Sequence, residues 1–356
     1  MSSTYQVSFD GAPAEDAFYD GLARVEVEEN ADLPDAFKLV FPLATADDDI
    51  TWVNDARVRP FANVAVTATP EGGTPQRIFD GYVLSHKVHL ETGITSSTLD
   101  VWGQDASVLM SLEDKAREFA NVTDGAVANQ VFGEYGFSAA PANTTNDTPA
   151  HTEDAHTLMQ RGSDIDFLRR LARRTGRWCR VTADRVGYFA VPDLTGEPTV
   201  TLKLNDPVER TVSALDFHWD VARPTEVKAS QASLTDAEAA VADTATSGLP
   251  PLDARGPADV AGRSTSVRLT ATTDAAQLPA RAAGLLAEAG WLASCEGTAD
   301  VSSLKAVLRV GGVVAIEGVG QMLSGKYLVK TVRHTITTDK HAMAFTLVRN
   351  ALGPVK

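Results

Sequence analysis

Cysteine is nearly absent from this chain of 356 residues, which has only Cys179 and Cys295. They lie far apart in apolar stretches, so neither a disulfide framework nor a C-x-x-C metal pair is available, and both read as buried thiols. Long apolar runs are missing too: nothing approaches the ~18 residues needed to cross a bilayer as a helix. The N-terminal MSSTYQVSFDGAPAED lacks the basic and apolar regions of a secretory leader, which implies synthesis and folding in the cytoplasm. Basic charge is in deficit, with 32 Lys and Arg against 47 Asp and Glu and a net charge of -15. A nucleic-acid backbone or an anionic membrane is therefore repelled as the main partner. Trp52, Trp102, Trp178, Trp219 and Trp291 are scattered among core-like runs and read as core, not as the exposed aromatic row of a glycan-binding protein. Tandem repeats at solenoid or propeller periods are also missing.

Signatures of catalysis are lacking in the same way. The sequence has no G-x-S-x-G elbow and no phosphate loop, and Gly318-Val319-Gly320 lacks the third glycine and following helix of a dinucleotide turn. His86 and His89 stand three apart in an expected strand and so point to opposite faces. His151 and His156 flank Glu153 and Asp154, a composition able to ligate a metal, but their loop setting favours a solvated acidic turn. His218, His334 and His341 lie on or beside expected strands with no spaced partner. Glu113/Asp114 and Asp164/Asp166 are adjacent in sequence without catalytic spacing, and a helix N-terminus already accounts for the second pair. No catalytic residue, metal site or cofactor is expected, and the chain does not read as an enzyme.

What is present is enough apolar material, 44% of residues, for two or three domains. From Gln6 to Trp102, period-two alternation predicts strands at Leu22–Glu28, Ala36–Pro42, Asn63–Thr69, Arg77–His89 and Ser96–Gly103. Pro70-Glu71-Gly72-Gly73 reads as a turn and Asp47–Asp49 as a solvated bend. Helical spacing then appears over Leu109–Phe119 and Asp124–Gly136, and Ser138–Asp154 reads as an extended spacer.

The strongest local signal runs from Gly162 to Gly176. Ser163 caps the amide three residues on, Asp164 and Asp166 complement the positive helix end, and Arg169, Arg170, Arg173 and Arg174 crowd toward the negative end. Ile165, Leu168, Leu171 and Ala172 share one face with Phe167 at its margin. The arginines could form a phosphate stripe, but a solvated helix face or a salt-bridged contact with an acidic neighbour subunit is favoured in so acidic a protein.

Arg177–Ala183 and Val186–Val191, joined at Asp184-Arg185, predict a hairpin. Further strands are expected at Thr211–Asp220 and Glu226–Gln231, a long exposed loop over Ser233–Arg263, a helix over Leu278–Cys295, and glycine-separated strands over Gly297–Asn350. The expected fold class is α+β, mainly β.

Two motif clusters carry a resemblance to a known family. Asp164-Ile165-Asp166-Phe167-Leu168-Arg169-Arg170-Leu171-Ala172, with Gly176 and Trp178 after it, resembles the phage late control protein D family of contractile-tail baseplate hubs. That family is related to the hub part of type VI secretion spike proteins. Gly312–Gly318, then Gly325, Tyr327, Val329, His334, Phe345, Arg349 and Asn350, are similar to its closing strands.

The resemblance covers about residues 100 to 350 and implies two tail-tube-like β-barrel domains with an inserted small α/β domain. The implied domains are 1–105 (completed by strands around 199–231), 106–195, and 196–350 with a tail at 351–356. It also implies a homotrimeric ring that adapts a six-fold tail tube protein to a three-fold spike protein, with baseplate wedge proteins as further partners. Such a chain is assembled in the cytoplasm and then carried in the particle. Since it ends at Lys356, the spike is expected to be a separate polypeptide. A tail-tip protein of a non-contractile phage and a tip-associated cell-wall hydrolase are the competing readings.

Overall fold

The structure is a computed structural model that describes residues 4–43, 45–46, 49–50, 52–92, 97–153, 157–232, 239–244, 246–270 and 275–354. Asp47 of the acidic bend, Ser96, Asp154 and His156 lie outside the described residues.

Among the described residues, the dominant element is a sheet of thirteen strands. Its order begins Val212–Trp219, Ala293–Asp300, His341–Arg349, Gly325–Ile336, and continues through Arg24–Asn30, Ala36–Pro42, Thr98–Asp105, Gln76–His89, Asn63–Thr69, Thr4–Phe9 and Ala12–Pro13. Val313–Glu317 pairs with Gly325–Ile336, and Thr201–Lys203 runs parallel to Val313–Glu317. The N-terminal and C-terminal β regions are thus hydrogen-bonded to each other, in a register from Thr331 opposite Asn30 to Ile336 opposite Val25.

Alternation explains the core. Val25 and Val27, Phe37 and Leu39, and Leu99 and Val101 all point inward and pack with Leu202, Ile316, Tyr327, Val332 and Leu347. Each such side chain contributes about 1.5–3 kcal/mol by leaving water. The strands Ala36–Pro42 and Asn63–Thr69 match their expected bounds, and the others from the first region differ by a few residues at an end.

A second core forms between residues 106 and 189, where Val127, Val131 and Phe132 meet Leu168, Leu171, Cys179 and Phe189. It holds the helices Asp124–Glu134 and Asp164–Arg174 and the hairpin Trp178–Val181 with Val186–Ala190. Thr123 caps the first helix and Gly136 follows its end at φ 72°. The Ser163 hydroxyl accepts from Asp166 N at 3.4 Å, and Arg185 turns the hairpin at φ 57°.

Several expectations are corrected. Leu109–Phe119 is not a helix: a 3-10 turn at Ala106–Ser111 is followed by the strand Asp114–Phe119, antiparallel to Leu158–Ser163. Two-residue spacing puts Lys115 and Arg117 on one face of that strand, where both reach Asp164.

Ser138–Asp154 is no spacer, because Asn143 is buried and accepts from Phe189 N, while Arg177 donates to the carbonyls of Asn143 and Asn146. Within Ser233–Arg263, Ala239–Thr244 is a strand on Glu226–Ala232 and Pro257–Ala261 a short helix, since Ala242 finds an apolar neighbour in the Leu278 helix cluster. That helix ends at Ala289, where Gly290 donates to Leu286 O, and Cys295 belongs to a strand with buried Ala293 and Ala299 on its inward face.

The strands near 199–231 pair with the C-terminal region or with Ala239–Thr244 and Ser266–Thr270, and none completes the first β region. Burial of Leu202 beside Ile316 fixes that choice. Trp102 and Trp219 are not core: they stand on outward positions, 41% and 49% exposed.

Candidate functional site

The sequence-predicted motif residues build polar joints that fix how the elements meet.

The first joint is Asp164. Its carboxylate is wholly buried at the helix N-terminus and accepts from Lys115 Nζ at 2.6 Å, Arg117 Nη2 at 2.7 Å, Tyr135 Oη at 2.6 Å and Gln160 Nε2 at 2.7 Å. Burial by itself raises its pKa, but the bonds from Lys115, Tyr135 and Gln160 outweigh it and hold the carboxyl below its ordinary value. Asp166 points to solvent, so the two aspartates do not form an acid/base pair.

Phe167 stacks on Phe119, with ring centroids 5.7 Å apart, and Leu168 and Leu171 fill the core. Phe167 is therefore interior, not marginal. Gly176, at φ 66°, lets the chain cross the Leu278–Ala289 helix: a Cβ there would lie 3.0 Å from the Gly284 backbone, and one on Gly284 2.5 Å from that of Thr175. Trp178 then packs with Leu252, Trp291, Leu328 and Val348.

The second joint joins four residues of the closing strands. The buried Arg349 guanidinium donates to the carbonyls of Met322 and Leu323 at 3.3 Å, to the Tyr327 hydroxyl and to Asp253. Gly325 has φ 126°, and a Cβ on it would come 2.8 Å from Arg349 Nη2, so the backbone can approach only without a side chain. Asn350 accepts from Leu252 N and donates to Pro250 O, which holds the 250–253 segment against the sheet. Val329 and Phe345 are core residues beside this joint.

The third joint was not expected. His334 and His341 have no spaced partner in the sequence, yet their Nδ1 and Nε2 atoms are 3.0 Å apart across the turn after Ile336, and His334 Nε2 is 3.3 Å from Glu29 Oε1. Arg309 donates to the same Glu29 oxygen at 2.7 Å, and Arg180 of the hairpin approaches at 4.0 Å. Burial first, and then the charge of His334, push His341 down to about 3.

Near Glu29, the Asp35 carboxylate accepts from Asn30 N, and Asp105 accepts from Asp35 N and Ser107 N. Glu29 and Arg349 carried one legible signal: alternation places both on inward positions, after Val25 and Val27 and after Phe345 and Leu347, where a charge is out of pattern.

This network should impose opposing pH dependences. Burial raises Glu29's pKa, but Arg309, His334 and Arg180 overcome that and bring it from 4.5 to about 2. A lowered carboxyl pKa stabilises fully above the unfolded value and is lost as pH falls toward the folded one. Asp35 and Asp105 are raised chiefly by burial, so the folded state takes up their protons first and gains stability as pH falls through those raised values. Urea midpoints should therefore rise as pH falls through the raised Asp35 and Asp105 values toward the ordinary carboxylate range, while the Glu29 contribution is lost between about 4.5 and 2. Glu29→Gln should flatten the acid limb and Asp35→Asn the rise; an acid limb unchanged by Glu29→Gln would exclude this source.

The remaining candidates separate. His151 is buried against Asp124 at 2.6 Å, not in a solvated turn, because it satisfies a carboxylate in the first turn of a helix. His86 meets Val58 O and His89 meets Glu91. Among the described residues no group of three His, Cys, Asp or Glu could hold a metal, and no helix is long and apolar enough to cross a membrane. Cys179 and Cys295 are buried free thiols, both pushed up to about 12 by burial.

The exposed apolar side chains include Leu84, Val88 and Leu90 at one end of the Gln76–His89 strand, Trp102 on its neighbour, and Trp219 on the Val212–Trp219 strand that borders the large sheet.

The mainly β architecture, with its large antiparallel sheet, is the fold of phage-tail proteins. The tail protein of Neisseria meningitidis MC58 matches with a TM-score of 0.69 at 14% identity, covering 99% of this chain and 98% of that one. The 43 kDa tail protein of prophage MuSo2 from Shewanella oneidensis matches at 0.67 and 15%, over 99% and 100%. The E. coli c3393 protein, a component of the type VI secretion system, matches at 0.55 and 13%, over 98% and 79%.

The chain belongs to the family of the Alg8 N-terminal domain, whose model matches residues 2–338. That family model differs from the late control protein D family to which the two motif clusters bear a resemblance. No curated protein matches the sequence.

Proposed function

We propose that this chain is a structural component of a phage-tail-like particle, and specifically its baseplate hub. The observation that carries the reading is the match to two tail proteins over nearly the full length of both partners, so the likeness is to a whole subunit.

In this reading the late control protein D resemblance holds at the level of role. Residues 1–105 and 196–350 act as two tube-like barrels, 106–195 stands outside them, and 351–356 is a tail. Three copies form a ring that joins a six-fold tube protein to a three-fold spike, with baseplate wedge proteins around it. The chain is assembled in the cytoplasm and works in the particle, without catalysis, nucleic acid or membrane.

Physical support comes from the sheet margins. Among the described residues, the Val212–Trp219 strand has a partner on one side alone, and the last residues of Gln76–His89 pair only with Thr98–Asp105. Bare edges flanked by exposed Trp219, Val88 and Leu90 are surfaces that subunit contacts would cover.

Light scattering on purified protein should give three chains per particle, alone or with its spike, and Trp219→Asp should shift that species toward monomer. A strict monomer indifferent to spike and tube would overturn the proposal.

A further inference from the structure

The surface of the Asp164–Arg174 helix carries a feature that the hub reading leaves unused. Phe167, Arg170, Leu171 and Arg174 fall on one stripe of the helix and, with Met159 and Arg161 from the adjoining strand, line a cleft of about 120 Å³. Its floor is apolar, and Met159 is half-exposed with nothing over it.

Its rim is basic and unneutralised. Arg161, Arg170 and Arg174 make no ion pair with any described carboxylate, and Arg170 spends one bond on the Arg161 carbonyl at 2.6 Å. Glu118, opposite Met159 in the strand ladder, does not bridge to them. Burial, and then the charge of Arg174, lower the pKa of Arg281 on the neighbouring helix, so a further guanidinium adds to the field.

Elsewhere on the surface, Arg57, Arg59, Arg185 and Arg333 each have a carboxylate partner. In a chain with a net charge of -15, three unpaired guanidiniums around an apolar floor are a local inversion of sign.

We propose that this cleft docks an acidic segment of a partner protein. One aliphatic or aromatic side chain sits on Met159, Phe167 and Leu171, and flanking carboxylates pair with Arg161, Arg170 and Arg174. Charge complementarity selects an acidic partner, and the apolar floor selects polypeptide over nucleic acid, whose backbone offers nothing to fill it. A long polyanion would also feel the whole chain's negative charge, whereas a short segment interacts within a Debye length of about 8–10 Å. The inference stands apart from the ring and holds for any oligomeric state.

Fluorescence anisotropy on the full chain tests it with three labelled probes: a Glu/Asp decapeptide with a central Leu, the same peptide with a central Ser, and a ten-nucleotide oligothymidine. The Leu peptide should bind, the Ser peptide about fivefold or more weakly, and oligothymidine more weakly still. The exposed-site double variant Arg161→Ser/Arg174→Ser should lose about tenfold and Met159→Asp a similar amount, while the remote Arg210→Ser binds as before. Unchanged thermal melts will show that the variants are folded.

No binding of the Leu peptide, equal binding of the Ser peptide, oligothymidine binding at least as tightly, or full retention in the double variant would each overturn the proposal. Self-association abolished by the same two substitutions would give the cleft to a second copy and overturn it as well.

Discussion

Arg349→Met should lower the free energy of unfolding by about 3 kcal/mol, read as a fall in the urea midpoint at unchanged slope. The guanidinium is fully buried and serves the Met322 and Leu323 carbonyls, the Tyr327 hydroxyl and Asp253. Methionine fills much of the volume but donates nothing, so Asp253 is left as a partly buried charge without its partner. About a quarter of the Asp253 side chain remains exposed, which is why the expected cost lies at the lower end for a broken buried pair.

Replacing both partners is a sharper test. Arg349→Met with Asp253→Leu should recover most of the loss, because desolvation of the two charges is then no longer required, and Arg349 Nε already lacks a partner. A double variant as unstable as the single one would show that shape, not charge, holds this joint. Hydrogen exchange should also locate the damage at Leu252, whose amide is held by neighbouring Asn350.

Asp164→Ala should cost a comparable amount, about 3 kcal/mol, for a different reason. Four donors converge on this carboxylate, and its loss leaves Lys115 and Arg117 close together beside the helix N-terminus, which itself disfavours positive charge. Both cations keep a bond to Glu134, which limits the penalty.

Asp164→Asn should recover part of the loss, since an amide oxygen still accepts, though it cannot serve four donors without its charge. Helix amides near Asp166 should lose exchange protection in both variants. A loss below about 1 kcal/mol for the alanine variant would mean that the acidic start of the motif is not a structural joint.

The helix and its neighbourhood show how far local signals carried. Ser163, the acidic first turn and the basic last turn specify both ends of Asp164–Arg174 within the segment, and the structure has the helix there. Ala36–Pro42 and Asn63–Thr69 were legible because period-two alternation on a half-buried sheet leaves little freedom of register.

The failures have a common cause. Asp114–Phe119 resembles a charged helical turn until Leu158–Ser163 pairs with it, and Ala239–Thr244 is a weak strand without Glu226–Ala232. His334 and His341 acquire a partner only when the turn after Ile336 folds back. Trp102 and Trp219 read as core because tryptophan usually is, but sheet position put them outside.

The sequence by itself determined the mainly β character, the helices that begin at Asp124 and Asp164, and the hairpin at Asp184-Arg185. These depend on neighbours within a few residues and on composition. Tertiary structure alone decided which strands pair across hundreds of residues, the convergence of Lys115, Arg117 and Gln160 on Asp164, and the burial of Glu29 among Arg180, Arg309 and His334. Those contacts are set by sheet register and packing, where many pairings satisfy the same local pattern and only the closed core selects one.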